Sequence, residues 1–192
     1  MTLEISQIGP EGWDSYARIP TDFLVRSVLA CELLEGGMGG ITLRETAVES
    51  PYTKQFDADD LPANWANSSD LKTWGVFLAI DAGRPVGGAA VAPPAPNLVG
   101  VQRRTDAAFL FDIRVSPGSR RQGVGKALLG RCAQWAGSKG YRFLVIETQN
   151  VNVPACRLYA AGGAELIEIR RLGYAHCPEV AKEAMLIWQL AV

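Results

Sequence analysis

RRQGVGKALL, residues 120–129, stands between an apolar run and a helical pattern. Two glycines and three cationic side chains at such a junction suit an anion. The first amides of a helix lack internal acceptors and point outward along the positive end of its dipole. Gly123 and Gly125 let the backbone approach a bulky diphosphate with no Cβ in the way, and Arg120, Arg121 and Lys126 add charge around it. Two familiar phosphate loops do not fit. A Walker A loop needs Gly, four residues, then Gly-Lys-Ser/Thr. Here Arg120 holds the first glycine's place and Ala127 replaces the hydroxyl. A dinucleotide G-x-G-x-x-G fails at Leu128. What remains is R-x-x-G-x-G entering a helix, or a plain left-handed turn beneath a solvated basic face.

The neighbours decide between these. AAFLFDIRV (107–115) is apolar enough for a central strand buried on both faces. After the glycine loop, Val124, Ala127, Leu128, Cys132, Trp135 and Ala136 fall at helical spacing, and Gly140 is placed to end that helix. FLVIET (143–148) reads as a second buried strand. VPACRLYAAGG follows as a short helix, with Asn152 as N-cap, Pro154 in the first turn and Gly162 or Gly163 ending it. Upstream, TWGVFLAI, DAGRP and VGGAAVAP read as strand, turn and strand, and a Pro-rich then basic connection covers 93–105. Downstream, AELIEIRR and EAMLIWQLAV are two strands around the loop LGYAHCPEVAK. ITLRETAV (41–48) alternates like a half-exposed strand, and SPYTKQFDADDLPANWANSSD reads as loop with one short helix. Residues 1–40 offer nothing to anchor. The order predicts an α/β fold of α+β type with a mixed sheet, not a doubly wound parallel one.

Length and composition set outer bounds. The 192 residues predict a single domain, 48% hydrophobic and 20% charged. A net charge of −1 argues against a nucleic-acid partner held by bulk electrostatics. MTLEISQIGPEGW has neither a basic nor an apolar signal region, and no apolar run approaches the roughly 18 residues of a membrane span. A cytoplasmic location with no membrane partner is therefore expected. Cys31, Cys132, Cys156 and Cys177 form no CxxC pair, and His176 is the single histidine, so reduced thiols and no metal are expected.

Strand, R-x-x-G-x-G, amphipathic helix, strand and N-x-x-A-x-x-L-Y together resemble the GNAT superfamily of acetyl-CoA-dependent N-acetyltransferases. The matching residues are Asp112-Ile-Arg-Val115, Arg120-x-x-Gly123-x-Gly125 and Asn152-x-x-Ala155-x-x-Leu158-Tyr159, at the family's order and separations. The resemblance covers about residues 73–190, leaving 1–70 as a divergent acceptor-side part. A narrower resemblance, to streptothricin acetyltransferases, rests on IETQNVNVPACRLYAAGGAEL, EAMLIWQL and ESPYTKQFDADD. Ala164 departs from the family, which usually places an aromatic after the second glycine. The resemblance implies a mostly antiparallel central sheet splayed between its two middle strands and flanked by helices.

It also implies a chemistry: direct transfer of acetyl from acetyl-CoA, as co-substrate, to the primary amine of a small-molecule acceptor. The diphosphate would sit on Arg120, Arg121, Gln122, Gly123, Val124, Gly125 and Lys126. The pantetheine arm would pair like an added strand with Ile113, Arg114 and Val115, near Asn152 and Ala155. A main-chain amide near Arg114 or Val115 would face the thioester oxygen as it gathers charge. Tyr159 would supply a proton to the departing thiolate, or else merely pack. Asp112 or Glu147, or a water, would take the proton that the acceptor ammonium must shed. Asp57, Asp59 and Asp60, with Glu45 and Glu49 nearby, would make an acidic mouth for a polycationic amine, or remain a solvated loop. Tyr52 and Trp74 are candidates for its walls. Other readings are a peptide or protein amine as acceptor, and a non-catalytic acetyl-CoA sensor. The last strand and the long loop before it are the candidate elements of a homodimer.

Overall fold

The computed structural model describes residues 2–55, 62–65 and 70–192. Asp57, Asp59 and Asp60 lie outside the described residues. Along the chain run β1 (Leu3–Gln7), α1 (Trp13–Ala17), β2 (Phe23–Leu33), β3 (Ile41–Lys54), α2 (Pro62–Trp65), β4 (Gly75–Asp81), β5 (Arg84–Ala92) and β6 (Ala107–Val115). Then come α3 (Val124–Ser138), β7 (Phe143–Gln149), α4 (Val153–Ala161), β8 (Glu165–Arg170) and β9 (Met185–Ala191). A seven-stranded sheet has the order β1-β4-β5-β6-β7-β9-β8, and β2 pairs with β3 in a separate ribbon. Every pairing is antiparallel except β6 with β7. The expected mixed, mostly antiparallel sheet is therefore present.

Its middle strands are buried on both faces, which is why their sequences read as unbroken apolar runs. Successive side chains of a strand point to opposite faces. Phe77 and Ala79 of β4 and Leu144 and Ile146 of β7 join Leu128 and Cys132 of α3 in one core. Val76, Leu78 and Val145 face the other way, onto Tyr16, Trp65 and Trp74. The helix predicted after the glycine loop thus covers one face. The unanchored N-terminal region, with α1, covers part of the other.

The N-terminal 55 residues correct the sequence reading. The strand foreseen at 41–48 runs on through Ser50, Pro51 and Tyr52 to Lys54, where a loop was expected. Ser27 pairs with Ala47 but Val25 with Tyr52, so Val48 to Pro51 are extra residues opposite a single Arg26. That bulge lets Pro51, which lacks an amide proton, stand in a strand. The β9 edge expected to pair across a dimer is also corrected. β9 has β7 on one side and β8 on the other, so neither of its edges is free. Among the described residues no helix is long and apolar enough to cross a membrane.

One buried side chain fastens the ribbon to the sheet. Asn150, just past β7, donates from Nδ2 to the Leu29 carbonyl (3.0 Å) and accepts at Oδ1 from the Ala184 amide (2.8 Å). Its backbone repeats both connections. Asn150→Ala leaves two interior backbone groups short of a partner, and should cost about 2–3 kcal/mol of stability. Urea unfolding of the pair of proteins measures this; a change below about 0.5 kcal/mol would mean that water replaces the side chain without loss.

Candidate active site

The two middle strands part company partway along. β6 pairs with β7 only from Ala107–Phe143 to Leu110–Ile146. Beyond that point Asp112 to Val115 keep β5 as neighbour, and Glu147 to Gln149 keep β9. The cause is visible on the other side of β6. Asp112 pairs with Ala90 and Leu110 with Val91, so Phe111 is an unopposed bulge residue. A bulge bends its strand and increases the local twist, and here it turns β6 off β7's course. The strand edges so exposed need other partners.

A cavity of about 330 Å³ fills the fork. Phe111, Asp112 and Ile113 line it from β6, and Glu147, Thr148 and Gln149 from β7. Asn152, Ala155 and Tyr159 close it from α4. Asp112, Glu147 and Tyr159, singled out in the sequence far from one another, thus meet at one cavity. Asn152 caps α4, accepting from the Ala155 amide (3.2 Å) through Oδ1. Tyr159 is buried, its ring 6.3 Å from Trp188, and burial holds its phenol well above the ordinary tyrosine range.

The two carboxylates differ in their company. Asp112 Oδ2 accepts from Arg114 Nε (2.7 Å) and from the Tyr16 hydroxyl. The guanidinium of Arg114 lies over the Tyr16 ring, 4.9 Å from its centroid. Tyr16 fits because residue 88 is glycine: a Cβ there would stand 2.4 Å from Tyr16 Cε2. Asp112 is therefore already paired with a cation in contact. Glu147 instead accepts at Oε1 from the Tyr174 hydroxyl. Burial raises its carboxyl above the usual range, against the lowering effects of that hydrogen bond and of Arg170. Neither Tyr16 nor Tyr174 was foreseen. They reach the two carboxylates from α1 and from the β8–β9 loop, segments whose sequence shows only apolar or loop character.

The glycine loop forms as expected but divides its labour. Gly123 takes φ +88° as the uncapped N-cap of α3, with nothing within 4 Å of where a Cβ would be. Arg121 too has positive φ (64°). Arg121, Gln122 and Lys126 are exposed around this tip, and Val124 is buried. Arg120 is turned inward: Nε donates to the Val115 carbonyl (3.0 Å) and Nη2 to the Asp22 carbonyl (2.6 Å). It braces the loop against β6 and the N-terminal segment. Gly125 packs on Leu158 of α4, its Cβ position 3.2 Å from Leu158 Cδ2.

Of the residues expected at the acceptor mouth, Trp74, Tyr52 and Glu45 are among those described. Trp74 is no wall of the cavity; it is buried behind it, stacked on Trp65 and 4.7 Å from Phe111. A large apolar ring next to a two-faced sheet gains more by burial than by lining a wet mouth. Tyr52 is exposed on β3 and is not among the cavity's lining residues. Glu45 bonds to the Ser27 hydroxyl and to Arg157, which hold its carboxyl below the usual range. Among the described residues no three His, Cys, Asp or Glu side chains gather to hold a metal ion.

Known proteins resemble this chain in sequence and in fold. The streptothricin acetyltransferase of Streptomyces lavendulae is 34% identical over 143 residues, 72% of this chain and 65% of that protein. The crystal structure of nourseothricin acetyltransferase is 25% identical with a TM-score of 0.77, covering 100% of this chain and 99% of that one. A Bacillus anthracis str. Ames protein solved in complex with acetyl coenzyme A has the same fold, with a TM-score of 0.79 at 23% identity, and both chains are covered in full. Residues 42–163 match the Acetyltransferase (GNAT) family, and a match over more than half the chain, from the β2–β3 ribbon to the end of α4, makes this protein a GNAT N-acetyltransferase.

Proposed function

We propose that the protein moves an acetyl group from acetyl-CoA directly to a primary amine of a small cationic acceptor of the streptothricin kind. The observation that carries this is the fork between β6 and β7, which opens on a cavity holding Glu147 and Tyr159. The residues fit a coenzyme A thioester. The edge of β6 from Phe111 to Val115, without a β7 partner, suits the amides of a pantetheine arm, and the uncapped α3 tip suits a diphosphate. When bound, acetyl-CoA supplies the acetyl group in activated form. Glu147 takes the proton that the acceptor ammonium must lose, since it is buried, raised in pKa and, among the described residues, without a cation in contact. Asp112, tied to Arg114 and Tyr16, acts as a fixed anion that orients the approach. Tyr159 holds its proton throughout the working range and offers it to the departing sulfur.

The names of relatives support an antibiotic acceptor, and a cytoplasmic setting, where acetyl-CoA is at hand, goes with this reading. A thiol-release screen with acetyl-CoA against streptothricin, aminoglycosides, polyamines and lysine peptides tests it. Turnover confined to streptothricin or other small polyamines is expected. Turnover only on lysine peptides would move the acceptor to a protein amine.

A further inference from the structure

We infer that Tyr174 is a positioning residue for the reaction: its phenol, carried in by the β8–β9 loop, fixes one oxygen of Glu147 and leaves the other for the acceptor's ammonium. This rests on Glu147 as the proton acceptor. Glu147 is the first β7 residue beyond the last β6 partner, so no ladder neighbour on that side steadies it. Oε1 accepts from Tyr174, and among the described residues no hydrogen bond reaches Oε2. A base must be held within hydrogen-bond reach of the proton that it takes, and a long carboxylate side chain left loose in a cavity would not be.

Tyr174 is suited to hold it. The residue is 9% exposed and packs in the core with Val145, Met185 and Ile187. Its loop is tied to β3 and braced by its own turns. Glu183 pairs with Lys54 of β3, with both side chains largely buried. The Ala175 amide bonds the Leu172 carbonyl (3.2 Å), and the Cys177 amide bonds that of Tyr174 (2.9 Å). Burial and the neighbouring Glu147 raise the phenol far above its ordinary range, so it stays a donor at every working pH. The other titratable groups that act here are Arg170 from β8, Tyr159 from α4, and Glu183 and Cys177 from the loop. Asp112 on the opposite strand is gripped in a similar way by Tyr16, but it also carries Arg114. Each prong of the fork thus presents a carboxylate held by a tyrosine from outside the sheet, and one of the two has a cation in contact.

The experiment reads the pH dependence of kcat/KM for the acceptor, with streptothricin as probe and a lysine peptide as second acceptor. A hydrogen bond to the charged carboxylate lowers its pKa, so Tyr174→Phe should move the acid limb up by about one unit. The loss is then about tenfold on the limb and small on the alkaline plateau, with KM for acetyl-CoA unchanged. Placing 3-fluorotyrosine at position 174 strengthens the donor and should move the limb down, and it carries the test if Tyr174→Phe fails to fold. A limb unmoved by both, or a loss equal at every pH, overturns the role given to Tyr174. Glu147→Gln separates the two layers. If the limb survives in Glu147→Gln, the base assignment fails. If it vanishes there but stays put in both position-174 variants, only Tyr174 is dismissed. If neither acceptor is turned over, infrared titration of the Glu147 carboxyl, by difference from Glu147→Gln, gives the same shift or its absence.

Discussion

Glu147→Gln should lower turnover by about a hundredfold or more while leaving acetyl-CoA affinity as it was, because it deletes the proton acceptor and little else. The amide matches the carboxylate in size and can still accept the Tyr174 hydroxyl. Burial raises the Glu147 carboxyl, so the acid limb of the wild-type profile should lie above the usual carboxylate range and disappear in the variant. The sign for stability runs the opposite way from a salt-bridged acid. A group whose folded pKa is raised binds its proton more tightly in the native state. It therefore costs stability above its folded pKa, and the cost relaxes as pH falls through that value. Glu147→Gln should accordingly be no less stable than wild type at neutral pH, and thermal unfolding at two pH values checks it. Turnover within threefold of wild type would hand the proton to water or to Asp112.

The second large effect belongs to Tyr159. Tyr159→Phe keeps the ring that packs near Trp188 and removes only the hydroxyl at the cavity. A general acid contributes upwards of tenfold, and a phenol held protonated by burial is a competent one. Turnover should fall about tenfold or more with acetyl-CoA affinity little changed, as read by initial rates and calorimetry. If the rate-limiting step were product release, a single-turnover measurement would still show the loss. Full activity in both assays would reduce Tyr159 to a packing residue.

The positions of these two residues, though not the roles proposed for them, were legible in the chain because their neighbours constrain them. Tyr159 sits at a fixed distance from a helix cap, Asn152, whose side chain is bound as the cap pattern predicts. Glu147 ends a run of buried β residues. The glycine tip of α3 was legible for the same reason: a left-handed N-cap asks for glycine, and Gly123 is there at φ +88°. Arg120 shows where such reasoning stops. Its position in the motif suggested a phosphate ligand, while its guanidinium reaches the carbonyls of Val115 and Asp22, the latter 98 residues away. Trp74 is similar, since composition cannot tell an aromatic at a wet mouth from one buried beneath it.

By itself the sequence determined the elements from β4 onward, the mixed sheet and the α3 tip, since each depends on local periodicity, caps and spacing, and its motifs carried the resemblance to the family. Only the tertiary structure shows which partners surround each carboxylate. Arg114, two residues along the same strand, and Tyr16, from a segment distant in the chain, reach Asp112, while among the described residues Glu147 accepts from Tyr174 of the β8–β9 loop. The charge of a side chain is written in its chemistry, but its usefulness as a base is set by the partners that folding brings to it.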